Sequence, residues 1–336
     1  MEKKFSSKLI AVLITLTCIC LTVSACVTDK KSTSSNAKKS IAISLPGATH
    51  GWPVGVIYHA ENEAKAIAET NGWDYKVLKA ETANEQSNQI ETLITEKYDL
   101  IVMLPFDGAS LKASAANVKD AGIPLVIFDR EVPDFKPTAT VKGDNTGIGV
   151  ETAKIFNKEI PEGTLVLELM GDTSTVPTQR TDGYDKTIND KFTKKQLGYT
   201  GWQRSEGRKL FEDFVGASSQ DEINKVQAIF THDDEIALGV LDALDAYSTD
   251  PNFNKKFDNL KIIAASAGNQ LMYNRIKTET KYQLFSLTYS PAMIKDAIRV
   301  GEKILKGESY DEMTILPTVE VNKDNVETYL DANSPY

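Results

Sequence analysis

Cysteine is almost absent from this 336-residue chain: Cys18, Cys20 and Cys26 are its three, all near the N-terminus. No Cys-x-x-Cys occurs, and cleavage before Cys26 would leave one cysteine, so neither a disulfide nor a cysteine metal site can brace the fold. Histidine is equally scarce, at His50, His59 and His232, and no His-Glu-x-x-His pattern brings two together. The chain also lacks a phosphate-cradling Gly-x-x-x-x-Gly-Lys-[Ser/Thr] loop and a Gly-x-Ser-x-Gly nucleophile elbow. Basic residues are outnumbered, 38 Lys and Arg against 47 Asp and Glu, for a net charge of −9. Nucleic acid and anionic lipid reward clustered Lys and Arg, so this balance disfavours both as partners. What remains is an acidic chain for which no metal and no organic cofactor is expected. Its stability must come from a core, and about 300 ordered residues fit two lobes better than one.

What the sequence does have begins at the N-terminus. Lys3, Lys4 and Lys8 precede an apolar run from Leu9 to Val23, closed by Ser24-Ala25. This is the layout of a secretory signal peptide over residues 1–25, and the run is shorter than the roughly 20 residues a spanning helix needs. Val23-Ser24-Ala25-Cys26 resembles the lipobox of bacterial lipoproteins, which implies a lipid on Cys26 and a protein held to the outer face of the cell membrane. Residues 26–39 are polar, rich in Ser, Thr and Lys, and read as a flexible linker.

The body alternates short apolar runs with helical patterns. Ile41–Leu45, Tyr75–Leu78, Leu100–Leu104, Pro124–Phe128, Leu165–Leu169, Leu197–Thr200, Ala228–Phe230, Leu260–Ala264 and Gln283–Leu287 read as strands. Between them fall helical segments, including Val54–Thr70, Asn84–Glu96, Ala109–Ala121, Thr178–Asp190, Asp233–Tyr247 and Pro291–Lys306. Such alternation predicts βαβ units with right-handed crossovers, an α/β architecture of two doubly wound parallel-sheet lobes.

In open parallel sheets, ligands bind beyond the carboxyl ends of the strands. There this sequence places His50 and Trp52, Asp129 and Arg130, a loop ending in Arg180, then Trp202, His232 with Asp233, and Tyr289. Rings that cover a C–H face, carboxylates that accept from hydroxyls and guanidinium groups that donate to oxygens are the chemistry of sugar recognition. Asp129 and Asp233 also invite comparison with a glycosidase pair, but Arg130 beside Asp129 argues against a raised-pKa acid. Binding rather than turnover is expected. Competing structural roles are assigned to Trp73 (packing), Asp107 and Asp144 (helix caps) and His59 (surface or core).

Four segments, in order, carry a resemblance over nearly all of residues 40–320. They are Ile127-Phe128-Asp129-Arg130, Arg180-Thr181-Asp182-Gly183-Tyr184, Trp202-Gln203-Arg204, and Phe230 to Glu235 followed by Ala237-Leu238-Gly239. Together they resemble the type I periplasmic binding proteins of sugar ABC transporters, the ribose and galactose binders in particular. The resemblance implies that Asp129, Arg130, Arg180 and Asp233 hold hydroxyls, that Trp202 stacks, and that Asp234 caps its helix. It further implies a three-segment hinge near Gly143, Tyr289 and Thr318. The N-terminal lobe would then be 40–143 plus 290–317, and the C-terminal lobe 144–289 plus 318–336.

The departures narrow the ligand. His50-Gly51-Trp52-Pro53 replaces a Phe-Phe loop, Ala267 stands before Gly268 where an aspartate is usual, and Tyr289 replaces an amide. A deoxy sugar, polyol, modified furanose or sugar-derived signal fits better than ribose, glucose or galactose. The expected protein is a monomeric solute receptor that closes on its cargo and docks on an ABC permease; the alternative is a sensory co-receptor for a sugar-like signal.

Overall fold

The computed structural model describes residues 38–48, 51–332 and 334–336. The signal peptide, Cys26, most of the linker and His50 therefore lie outside the described residues. No helix among the described residues is long and apolar enough to cross a membrane.

Leu-Ile-Val-Met of β3 (Leu100–Met103) and Leu-Val-Ile-Phe of β4 (Leu125–Phe128) are buried at every position. Continuous apolar strands of this kind belong in the middle of a parallel sheet covered on both faces. Here they lie beside β1 (Ser40–Pro46), β2 (Asp74–Ala80), β5 (Ala139–Gly143) and β11 (Met313–Leu316), in the order β11-β5-β4-β3-β1-β2. The first sheet is parallel throughout. The second contains β6 (Leu165–Met170), β7 (Thr193–Tyr199), β8 (Val226–Thr231), β9 (Ile262–Ala267), β10 (Gln283–Thr288) and β12 (Glu320–Val321), in the order β12-β10-β9-β8-β6-β7. Its strands are parallel except for β12, which runs against β10.

The strand pleat sends alternate residues to opposite faces. Ile41, Ile43 and Leu45 join one cluster with Val56, Ala60, Ala64 and Ile67 of α1 (Gly51–Asn71), while Ala42 faces Ile90 and Leu93 of α2 (Ala83–Thr95) and Ala115 of α3 (Lys112–Asp120). In the second sheet, Leu167 and Leu169 pack with Phe211 of α6 (Arg204–Ala217) and Ile236 and Val240 of α8 (Asp234–Thr249). On its other face, Val166 joins Phe156 of α4 (Asn145–Glu159) and Tyr184 of α5 (Thr175–Asp185).

The chain passes between the sheets after β5, after β10 and between β11 and β12. After β10 it enters a 3₁₀ turn at Pro291–Met293 and then α10 (Ile294–Lys306), which returns to the first sheet. The remaining helices are the short α7 (Gln220–Ile223) and α9 (Gln270–Thr278).

Helices α1 and α5 begin earlier than the sequence periodicity predicts. α1 starts at Gly51 rather than Val54, because Pro53 sits in the first turn, where its missing N–H is not needed. α5 starts at Thr175 with Pro177 in its first turn, so Arg180 stands in a helix and not at the end of a loop. Strands β5, β11 and β12 and helix α9 went unanticipated. The exposed side chains of Met313 and Ile315 give β11 an edge character that apolar runs do not reveal.

Candidate functional site

The cleft residues come from the carboxyl ends of strands in both sheets. Asp129, directly after β4, adopts a left-handed φ of 63° while its amide still bonds the Val141 carbonyl at 2.9 Å. One of its oxygens accepts from the Tyr289 hydroxyl. Tyr289 follows β10 at the second crossing and organises three partners. Its hydroxyl also accepts from Asn145 Nδ2 at 3.0 Å, and its carbonyl accepts from the Trp52 indole at 2.8 Å. Its ring lies so close to Gly143 that a Cβ there would approach within 2.2 Å. Trp52, in the first turn of α1, stacks over Phe128 with centroids 6.2 Å apart and planes 5° from parallel.

Arg180 is 3 % exposed and most of its donors are committed. Nε bonds Asn145 Oδ1 at 3.0 Å, and Nη1 bonds Ser266 Oγ at 2.8 Å and the His232 carbonyl. Its guanidinium carbon lies 4.7 Å from the Tyr289 ring centre and 5.6 Å from that of Trp202, within the range of cation–π attraction. The guanidinium also forms part of the cavity wall. Trp202, like Asp129, is held at a left-handed φ, here 64°.

The two adjacent aspartates divide their work differently from the resemblance. Asp233, not Asp234, is the cap of α8, accepting from the Glu235 amide at 2.7 Å. Asp234 ties the loop after β9 to α8. One oxygen accepts from the Gly268 and Asn269 amides, both at 2.8 Å, and the other from Ser286 Oγ at 2.6 Å. That capping assignment is corrected because Asp233 has the extended backbone a cap requires while Asp234 is already helical. Asp233 also lines the cavity, so one side chain both caps α8 and borders the cleft.

Burial raises the pKa of Asp129, with Arg130, the Tyr289 hydroxyl and Arg180 opposing it. The expectation that Arg130 would prevent a raised pKa is therefore wrong: the desolvation cost exceeds the attraction of its neighbour. Burial also raises Asp233, helped by Asp234, and pushes Asp234 up to about 6. Burial depresses Arg180, against the pull of Tyr289, Asp233 and Asp129.

Arg130 donates to the Phe106 carbonyl at 2.7 Å and reaches Asp172, on the other sheet's side of the cleft, at 3.5 Å. Glu131 receives Gln179 Nε2 at 2.8 Å and pairs with Lys142 at 2.8 Å. Behind the site, Glu168 accepts from Thr181 Oγ1 at 2.7 Å and Gln196 Nε2 at 2.8 Å, faces His232 Nε2 at 3.1 Å and pairs with Lys194 at 2.9 Å. Burial would raise this carboxyl, yet His232 and Lys194 hold it down to about 2. His232 thus faces Glu168 with its ring and presents its carbonyl to Arg180.

A small cavity of about 30 Å³ is lined by Trp52, Asp129, Arg130, Val176, Arg180, Trp202, Asp233, Ala267 and Tyr289. The site residues named from the sequence lie on this wall except His50, which is outside the described residues, and His232, whose ring faces Glu168 behind it. Sequence reasoning missed Val176, which carries no chemical signature, and Asn145, which bonds Tyr289 and Arg180 without lining the cavity. Asp144 caps α4, accepting from the Gly147 amide at 2.7 Å, whereas the cap expected of Asp107 is corrected: it accepts from Ala109 and Ser110 in a turn that precedes α3, and α3 begins after Leu111 without a side-chain cap. No cluster of metal-ligating side chains is present among the described residues.

Two parallel sheets with aromatic and charged side chains converging on one cavity define a solute-binding protein. The chain belongs to the periplasmic binding protein domain family, whose model matches residues 41–309. It is 26 % identical over 253 residues to a ribose import binding protein of Bacillus subtilis, covering 72 % of this chain and 79 % of that one. It is 27 % identical over 237 residues to a galactofuranose-binding protein of Escherichia coli, covering 67 % and 71 %. A solute-binding protein of an ABC transporter from Bacillus halodurans, solved with myo-inositol, superposes with a TM-score of 0.73 at 23 % identity, covering 89 % and 98 %. These relatives are binding components of transporters, and the chain is a binding protein rather than an enzyme.

Proposed function

We propose that this protein is a lipid-anchored extracytoplasmic receptor that captures a sugar or sugar-like molecule and delivers it to an ABC importer by hinged closure. The cavity carries the reading: both sheets contribute to its wall, so a bound molecule joins the two lobes and shifts the population toward the closed form. Its chemistry is divided. Asp129, Arg130, Arg180 and Asp233 supply acceptors and donors, whereas Val176, Ala267 and the two indoles supply apolar surface. A ring with hydroxyls on one edge and fewer on the other suits it, as in a deoxy sugar, a polyol or a modified furanose. The relative named for galactofuranose and the neighbour solved with myo-inositol support that class, and the relative named for ribose supports a sugar ligand more broadly.

A thermal-shift panel of pentoses, deoxyhexoses, polyols and sugar acids tests it, since a tight ligand raises stability by mass action. Asp129→Ala and Arg180→Ala should each weaken the best ligand at least about tenfold, a loss of roughly 1.4 kcal/mol or more. Wild-type affinity in both would remove them from the site. For the anchor, Cys26→Ser should move the protein from the membrane fraction to the soluble one; a variant that still pellets with membranes contradicts the lipid.

A further inference from the structure

We propose that Tyr336 is a positioning residue of the cleft, a wedge between the helix starts that carry Trp52 and Asp233. The inference rests on the hinged-receptor reading given above. The segment leading to Tyr336 is fastened on the side of the second sheet. Val326 is buried in the core of that lobe, and Gln270 of α9 bonds both the Tyr329 carbonyl at 3.2 Å and the Asp331 amide at 2.8 Å.

Tyr336, however, is 5 % exposed within the cluster that contains Trp52, Val56 and Tyr289. Its ring lies against Gly51, where a Cβ would fall 2.6 Å from Cδ2 and Cε2, and its own Cβ would stand 3.2 Å from one on Gly55. Both glycines belong to the first turns of α1, beside Trp52. On the opposite side, Glu235 in the first turn of α8 has Oε1 3.3 Å from the same Gly51 Cβ position and bonded to Asn269 Nδ2 at 2.9 Å. Burial raises the phenol's pKa well above its usual range, with Asp233, Asp234 and Glu235 adding to it.

One aromatic ring thus fills the space between the starts of α1 and α8, each of which carries a cavity residue. Opening the cleft separates these helix starts and strips apolar contact from the ring, so Tyr336 favours the closed arrangement before any ligand enters. It also fixes the first turn of α1, and with it the indole of Trp52. The effect should be read mainly in how long a ligand stays, as is usual for packing at an interface.

The test uses the full chain with one probe on each lobe, at exposed positions away from the cleft, to report the distance distribution between lobes. Without ligand, Tyr336→Ala should shift the population toward longer distances, and the best ligand of the panel should dissociate at least about fivefold faster. Tyr336→Phe, which keeps the ring, should stay near wild type in both. If Tyr336→Ala loses its fold, Gly51→Ala, whose new Cβ displaces the ring from the other side, should produce the same opening. An unchanged distance distribution in a folded Tyr336→Ala or Gly51→Ala protein overturns the proposal. A panel in which nothing binds even the wild type counts against the receptor reading, while the distances still decide the role of Tyr336.

Discussion

Around the first sheet, the fully inaccessible polar side chains are Ser44 and Gln86, both neutral; around the second they include Glu168, His232 and Asp234. Gln86 bonds Ser44, the Leu104 carbonyl and the Phe106 amide, which tidies the carboxyl ends of β1 and β3. Glu168 instead anchors a charged lattice that runs from Lys194 through His232 to the carbonyl held by Arg180. The first sheet carries Asp129 and Arg130 of the cavity wall directly after a strand, over an apolar sheet. The second holds its arginine in place with buried ionic and hydroxyl groups. Rigid placement of a guanidinium in a dry site needs its donors paired, whereas a strand-end carboxylate needs only a turn.

The largest effect that would break this contrast is Glu168→Gln. It leaves Lys194 and His232 facing a neutral amide, and should cost about 3 kcal/mol in urea unfolding. A loss below about 1 kcal/mol would make the two lobes alike.

The pH profile sharpens the contrast next. Glu168 is held at about 2 against an ordinary 4.5, so its contribution is complete above pH 4.5 and disappears as pH falls toward 2. Asp234, pushed up to about 6 from an ordinary 3.8, acts the other way, and stability is gained as pH falls from above 6 toward 3.8. His232, held by burial below its ordinary 6.5, loses stability over the same range and opposes Asp234, so melting temperature should change little from pH 7 to about 5 and fall steeply below about 4. Glu168→Gln should flatten the acid limb alone; a variant that keeps the full limb would assign it to other carboxylates.

Gln86→Leu is the smallest of the three. It strands the Phe106 amide and Leu104 carbonyl for about 1–2 kcal/mol, with little change in the pH profile. A loss equal to that of Glu168→Gln would erase the distinction between the lobes.

The same contrast explains what could be read from the chain beforehand. Apolar runs such as Leu100–Met103 and Leu125–Phe128 announce central parallel strands, and the rule that ligands sit beyond strand ends points to Trp52, Asp129 and Trp202 without any side-chain geometry. The lattice behind Arg180 was not legible, because Glu168, Lys194 and Gln196 sit on strands whose alternation suggests ordinary exposure. Which of Asp233 and Asp234 caps α8 is decided by one backbone angle, and two neighbouring acids at a helix start look alike in sequence. Edge strands β11 and β12 are short, the first half exposed and the second only two residues long, so no apolar run marks either as a strand.

The left-handed backbone at Asp129 and Trp202 bears on any attempt to retarget this receptor. For a side chain other than glycine that conformation costs about 1–2 kcal/mol, and branching at Cβ makes it worse. A randomised library at these two codons should therefore collapse to glycine, asparagine, aspartate and a few unbranched side chains before selection for any new cargo begins. Diversity is better spent at Val176, which sits in the regular helix α5, than at Ala267, whose own φ is 158°.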